Sequence, residues 1–134
     1  MNVWIILVII VIVGVGLLVL ISRHNQPTLN RELVRNRWQK VVSFAKEGEA
    51  GQQQAVIEAD KLVDYVLRQY NISGESMADR MRGAEAMIPN YQQLWQVHKL
   101  RNKLVHEQGV ELSKKQLRFS LRTYQTTLKG LKAL

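Results

Sequence analysis

The chain of 134 residues contains no cysteine and only three histidines. The absence of cysteine excludes disulfide bonds, zinc sites built on thiolates and a cysteine nucleophile. The histidines are scattered along the chain, and no pair of carboxylates stands beside them at the spacing of metal ligands. The sequence therefore predicts neither a metal site nor any other cofactor.

Charged residues are missing from the first 21 positions, and Val3 to Ile21 is an unbroken apolar run of 19 residues. A helix of that length is about 28 Å long, close to the hydrocarbon thickness of a bilayer. A secretory signal carries a basic segment, a shorter apolar core and a small-residue cleavage site, and this run lacks all three. Residues 1–24 are therefore predicted to form a transmembrane anchor, and residues 25–134 a separate helical domain.

The segment that follows the apolar run is basic. Against a single acidic residue, Glu32, it carries Arg23, Arg31, Arg35, Arg37 and Lys40. Positive flanks favour the cytoplasmic side of a membrane. The expected topology is a single pass of the cell membrane, with the N-terminus outside and the C-terminal domain in the cytoplasm.

The net charge of +8 lies entirely beyond residue 21 and is concentrated near the C-terminus. From Lys99 onward there are nine Lys and Arg residues against Glu107 and Glu111. An excess of this sign favours polyanionic partners, namely RNA, DNA or an anionic lipid surface. Solubility alone explains such charge equally well.

The remainder of the chain has helical periodicity, with no strand pattern and no internal repeat. Helices are expected over about 28–47, 52–70, 76–88 and 91–107, after a hinge at 25–27, with Thr28 as the first N-cap. A last helix begins at Ser113, whose hydroxyl can form a capping box with Gln116. The apolar stripes predict the core side of the helices: Ala55, Ala59, Leu62, Val63, Val66 and Tyr70 in the second, Leu94, Val97, Leu104 and Val105 in the fourth, and Leu117, Leu121, Tyr124, Leu128 and Leu131 in the last. The predicted fold is all-α, a transmembrane helix followed by a bundle of four or five helices. A bundle of this size is often stabilised by dimerisation.

The fourth of these helices carries an arginine where its apolar stripe predicts a leucine. Arg101 continues the stripe of Leu94, Val97 and Leu104, and a buried guanidinium is costly unless an anion meets it. One interpretation pairs Arg101 with Glu58 or Asp60 of the second helix. The other pairs it with a phosphate group.

A polar line runs beside that stripe. Asn102 and His106 each lie within about 20° of Trp95 on a helical wheel, with His98 between this line and the core. Such a line indicates a second buried surface, for which a partner chain is the simplest source. Arg101 points about 140° away from His106, and a two-fold interface would bring two Arg101 and His106 sets together.

The segment Arg101-Asn102-Lys103-Leu104-Val105-His106 resembles the signature of the HEPN family. That signature is an arginine, usually followed by a polar residue, and a histidine four to six positions after the arginine. The segment also lies late in the chain, at the end of the penultimate long helix, which is similar to the position of the signature in that family. The resemblance extends over about residues 53–131, including 58–64 of the second helix.

The resemblance implies a homodimeric helical bundle and, in active members, metal-independent cleavage of RNA that leaves a cyclic phosphate. By this similarity Arg101 and His106 are the catalytic pair, with Asn102 in support. The positions of His98 and Trp95 on the helix add them as supporting residues. Many HEPN domains are instead dimerisation or nucleotide-binding modules, often next to a nucleotidyltransferase or an antitoxin. Two alternatives therefore stand: a non-catalytic interaction module, and a basic membrane-surface scaffold that uses Arg31, Arg35, Arg37 and Lys40.

Overall fold

The computed structural model of the protein describes residues 2–24 and 28–134, and over these residues the chain is all-helical with no strand. The predicted hinge at 25–27 lies outside the described residues. Within them the helices are α1 (Val3–His24), α2 (Arg31–Phe44), α3 (Glu49–Gln69), α4 (Met77–Gly83), α5 (Tyr91–His106) and α6 (Lys114–Gly130), with a 3₁₀ turn at Glu85–Met87.

Helix α1 contributes nothing to the buried core. Its apolar stretch from Val3 to Ile21 is long and apolar enough to cross a membrane, and none of it is buried. Trp4, near its start, is 79% exposed. An uncovered helix with an apolar surface on every side is suited to a lipid environment rather than to water.

The other helices form a bundle around α3, which packs against α2, α4, α5 and α6. Five residues of the predicted apolar stripe of α3 are confirmed as core, because Ala55, Ala59, Leu62, Val63 and Val66 are all buried. Tyr70, at the end of the stripe, is half-buried. Val56 and Leu67 of α3 are buried as well. Because apolar side chains stand on more than one face of α3, several helices pack against it and it lies at the centre of the bundle.

Neighbouring helices supply that cover with the stripes that their sequences predict. The buried residues among them are Val34, Trp38 and Val41 of α2, Met77 and Met81 of α4, Leu94 and Val97 of α5, and Leu117, Tyr124 and Leu128 of α6. The predicted capping box at Ser113 and Gln116 is present at the start of α6. Val105, predicted on the core side of α5, is instead 46% exposed.

Two helix boundaries differ from the predicted ones. The N-cap of α2 is Asn30 rather than Thr28, since the Asn30 side chain accepts a hydrogen bond of 2.9 Å from the Leu33 amide. The predicted helix over 76–88 ends at Gly83 and continues only as a 3₁₀ turn. Pro89 accounts for the end of the 3₁₀ turn, because the residue before a proline avoids the helical region, and Ile88 is extended, with φ −103° and ψ 105°.

Leu128→Ala tests the packing of α6 on α3. Leu128 is fully buried, and the truncation should lower the free energy of unfolding by about 2–5 kcal/mol, since it leaves a cavity. The measurement is urea unfolding of the full chain in detergent, followed by tryptophan fluorescence. Thr126→Ala, at an exposed position of the same helix, should change the value by less than about 0.5 kcal/mol. Equal effects of the two changes would contradict this packing.

Candidate functional site

A buried carboxylate, Asp60 of α3, is the centre of a polar network between three helices. Asp60 is 2% exposed. Its Oδ1 lies 3.0 Å from Nδ1 of His98 on α5 and accepts a hydrogen bond of 3.0 Å from the Tyr124 hydroxyl on α6. Its Oδ2 lies 3.4 Å from Nε of Arg101 on α5. A buried charge is costly without such partners, and Asp60 has three.

Asn102 closes these contacts into a ring. Its Oδ1 accepts a hydrogen bond of 2.9 Å from Nη1 of Arg101, and its Nδ2 lies 3.3 Å from Nε2 of His98. Since the amide nitrogen can only donate, it donates to Nε2 of His98, and Nδ1 of the same ring faces Asp60. Asp60, His98, Asn102 and Arg101 thus form a ring of contacts in which three neighbouring pairs are within hydrogen-bond distance, whereas Nε of Arg101, 3.4 Å from Asp60, makes no hydrogen bond to the described residues.

The geometry of α3 and α5 explains why these side chains meet. On α5, His98 and Asn102 are four residues apart and lie one turn above one another, and Arg101 is three residues after His98. On α3, Asp60 lies among Val56, Val63 and Leu67 on the buried side of the helix. Helices α3 and α5 are in contact, so the carboxylate faces the polar positions of α5.

Burial and the neighbouring carboxylate together act on Tyr124. The side chain is fully buried, and this burial, with the negative charge of Asp60 and their hydrogen bond, raises the pKa of the Tyr124 phenol well above its usual value of 10.0. The positive charge of Arg101 acts in the opposite direction and is the weakest of these influences. Tyr124 therefore remains a neutral hydrogen-bond donor over the physiological pH range.

A cleft of about 350 Å³ opens beside the ring, a volume within the usual range of ligand sites. His98, Arg101 and Asn102 form its α5 wall, and the Arg101 side chain is 22% exposed. The other walls come from α3 and from the segment around α4: Lys61, Asp64, Arg68, Glu75, Ser76, Met77, Ala78 and Arg80. Its four Lys and Arg residues outnumber its three carboxylates, which include Asp60.

A second ion pair closes the far side of the cleft. Arg80, which is buried, lies with Nε 2.6 Å from Oδ1 of Asp64, and its Nη1 donates to the Gly74 carbonyl. Arg68 is also paired with Asp64, at 2.9 Å. Because Asp64 and Asp60 are both occupied by cations of the protein, neither leaves a strong unpaired negative charge facing the cleft.

The structure brings together only some of the site residues that the sequence predicted. Arg101, Asn102, His98 and Asp60 meet in the ring, and of the two carboxylates considered for Arg101 it is Asp60 that pairs with it. Glu58 instead pairs with Lys61 at 2.9 Å. Trp95 is half-buried, with its ring edge-on to that of His98 at 6.0 Å between centroids.

His106 lies outside the ring. It is exposed at the end of α5, and no hydrogen bond or ion pair of its side chain occurs within the described residues. Among those residues, no three potential metal ligands come together either.

Three residues of the site were missed in the sequence analysis, namely Tyr124, Arg80 and Asp64. Tyr124 was predicted only as part of the apolar stripe of α6. A signal for it exists, because a buried tyrosine needs an acceptor for its hydroxyl, and Asp60 stands at a core position of α3 without an apolar side chain. Arg80 and Asp64 carry no such signal, since their segments lie on separate helices.

Asp60→Asn tests the ring. The amide keeps the shape but removes the charge, leaving Arg101 facing a neutral group, and the free energy of unfolding should fall by roughly 3 kcal/mol. Urea unfolding measures the change. Glu111→Gln, which removes an exposed carboxylate, is the matched control and should be near neutral. A loss below about 1 kcal/mol for Asp60→Asn would contradict a structural role for the ring.

Tyr124→Phe tests the direction of the tyrosine pKa. The variant loses the hydrogen bond to Asp60 and should be less stable than wild type by about 1 kcal/mol near pH 8. Because the pKa is raised in the folded state, the unfolded chain loses its phenol proton first as the pH rises above 10, and wild-type stability falls there. The stability difference between the two proteins should therefore shrink above pH 10. A constant difference up to pH 11 would contradict the raised pKa.

Comparison with protein-family models, with curated proteins and with solved structures finds no match to this chain. None of the three comparisons identifies a HEPN domain in this chain.

Proposed function

We propose that this chain is a single-span membrane protein whose helical domain is HEPN-like and acts on phosphodiester bonds of RNA at a homodimer interface. The observation that carries the proposal is the placement of Arg101. Asp60 and Asn102 fix its guanidinium at the wall of a cleft while a fifth of the side chain stays exposed. A fixed, permanently charged donor fork is suited to phosphate oxygens.

The proposed chemistry is an intramolecular transfer that needs no metal. Arg101 binds the non-bridging oxygens of the phosphate. The ribose 2′-oxygen attacks phosphorus, the bond to the 5′-oxygen breaks, and the products are a 2′,3′-cyclic phosphate and a 5′-hydroxyl. An imidazole accepts the 2′-hydroxyl proton, and an imidazolium gives a proton to the leaving oxygen. The two His106 side chains of a dimer would divide these roles.

A second copy is required because one chain keeps the pair apart. Arg101 and His106 are five residues apart on α5, which is about 7.5 Å along the axis and about 140° around it. Val105, next to His106, is 46% exposed. An exposed apolar side chain beside the predicted catalytic residue supports an interface there, since interfaces are enriched in buried apolar contacts.

Anchoring is the second part of the proposal. The length and hydropathy of α1 support it, with Val3–Ile21 having a mean hydropathy of 3.4. The proposed orientation, with the N-terminus outside and the bundle in the cytoplasm, rests on the basic residues that follow α1. RNA is present on that side, so the orientation and the proposed substrate are consistent.

Cleavage of single-stranded RNA by the full-length protein in detergent and chelator tests the activity. Wild type should leave 2′,3′-cyclic phosphate ends, identified by mass spectrometry. His106→Ala and Arg101→Ala should each lower the rate about 10²–10⁴-fold, since each removes a group that acts on the transferring phosphate. RNA with a 2′-deoxyribose at the cleavage position should resist.

Lys103→Ala is the matched control, because Lys103 is an exposed cation on the same helix. It should retain most of the activity. Equal cleavage by wild type and His106→Ala would assign the activity to a contaminant, and the nuclease proposal would be wrong.

A non-catalytic interaction module is the second candidate, and a specific observation favours it. Asp60 already neutralises Arg101, and His106 is exposed outside the ring. In this case the bundle dimerises or binds a partner protein, such as an antitoxin or a nucleotidyltransferase, without chemistry. A wild-type dimer that cuts no RNA, and whose mass in solution is unchanged by His106→Ala, is the result expected for it.

A further inference from the structure

A second cleft lies on another side of α3, between α3 and α2, and its volume is about 370 Å³. Three cations stand around it, namely Arg37 and Lys40 of α2 and Lys61 of α3. This cleft, called here the α2–α3 groove, shares Lys61 with the cleft beside Arg101 but otherwise has different walls.

The groove combines a charged rim with an apolar floor. Val41 and Leu62 are buried at its base, and Phe44 is half-buried there. A rim of cations over apolar side chains complements a molecule that has a negative head and a hydrocarbon body. Long cationic side chains suit such a position, because their stems cover apolar surface while their charges stay in the polar layer.

The charges of α2 remain available to an external anion. Glu58, the acidic residue of the groove, is engaged by Lys61 and by the Gln54 amide, each at 2.9 Å. Within the described ranges neither Arg37 nor Lys40 forms an ion pair. Arg37 instead lies over the Tyr65 ring, 4.8 Å from its centroid, which holds the guanidinium beside the groove.

Chain connectivity keeps α2 close to the end of α1. The helix begins at Arg31, and α1 ends at His24, so the intervening chain can span at most about 25 Å. Lys40 lies about 14 Å further along the axis of α2. If the axis of α2 stood perpendicular to the bilayer, Lys40 would lie farther from the surface than the Debye length of about 8 Å at physiological salt, and its attraction to anionic lipids would be screened. If the axis lies parallel to the bilayer, the whole groove is close to the headgroups.

We propose that the α2–α3 groove binds the headgroup of an anionic phospholipid and holds α2 flat against the bilayer; this inference rests on the proposed anchoring by α1. Each cation near an anionic surface favours the docked state by about fivefold. Arg31 and Arg35, both exposed on α2, add to the attraction. Docking fixes the orientation of the bundle, and with it the direction in which the Arg101 cleft faces.

The experiment uses the full chain in nanodiscs and exploits the absence of native cysteine. A fluorophore is attached at Asn36→Cys on the exposed side of α2, and another at Thr126→Cys on α6. Nitroxide-headgroup lipid quenches a label that is close to the surface. Quenching at position 36 should be strong in equal mixtures of phosphatidylcholine and phosphatidylglycerol and weak in phosphatidylcholine alone, while position 126 should remain unquenched in both.

Charge reversal identifies the residues. Arg37→Glu with Lys40→Glu should lower the docked-to-undocked ratio at least about 25-fold, since two attractive charges are lost. Lys114→Glu with Lys115→Glu, two exposed cations of α6, is the matched control and should leave quenching at position 36 unchanged. Equal effects of both pairs, or equal quenching in neutral and anionic discs, would overturn the proposal.

Two further measurements test whether the groove binds a soluble phosphate instead of a lipid and whether α1 inserts into the bilayer. Inorganic phosphate added at constant ionic strength should leave the quenching unchanged, and loss of quenching would assign the groove to a soluble phosphate instead of a lipid. Resistance to alkaline carbonate extraction reports insertion of α1. Insertion without quenching would refute the groove proposal alone, whereas failure of α1 to insert would refute the anchoring on which it rests.

Discussion

The carboxylate of Asp60 is the interaction on which the interior of the bundle depends. A charge removed from water needs compensation at close range, and here it comes from α5 and α6, through His98, Arg101 and Tyr124. Apolar contacts tolerate small shifts between helices, but hydrogen bonds of about 3 Å do not. The network therefore fixes the relative positions of α3, α5 and α6 more narrowly than their apolar stripes do.

The same network determines what Arg101 can do. Its guanidinium is oriented by Asp60 and by the Asn102 amide, so binding of an external phosphate would require little reorganisation of the side chain. Orientation by a carboxylate also reduces the net charge that the phosphate meets. The fixed orientation of Arg101 raises its affinity for phosphate, and the partial neutralisation by Asp60 lowers that affinity. Which effect is larger decides between the two proposed functions, an RNA-cleaving domain and an interaction module.

Two clefts of the domain are lined by charged side chains, and the two differ in how those charges are paired. In the cleft beside Arg101, Asp60 and Asp64 are paired with cations of the protein, whereas in the α2–α3 groove Arg37 and Lys40 form no ion pair with the described residues and lie over an apolar floor. The connection from α1 to α2 keeps the start of α2 within about 25 Å of the end of α1. A lipid-facing side and a separate phosphate-facing side are thus compatible on one small bundle.

The sequence by itself determined the elements. Apolar periodicity identified the five helices that follow the apolar run, the core stripe of α3 and the capping box at Ser113, because these depend on contacts within a few residues. It also marked Arg101 as a charge that needs an anion. Only the tertiary structure decided which anion, since it pairs Arg101 with Asp60 and not with Glu58, and both carboxylates lie on α3, far from Arg101 in sequence. It likewise placed Val105 at the surface and left His106 outside the ring, because exposure at a helix end depends on what packs beyond it.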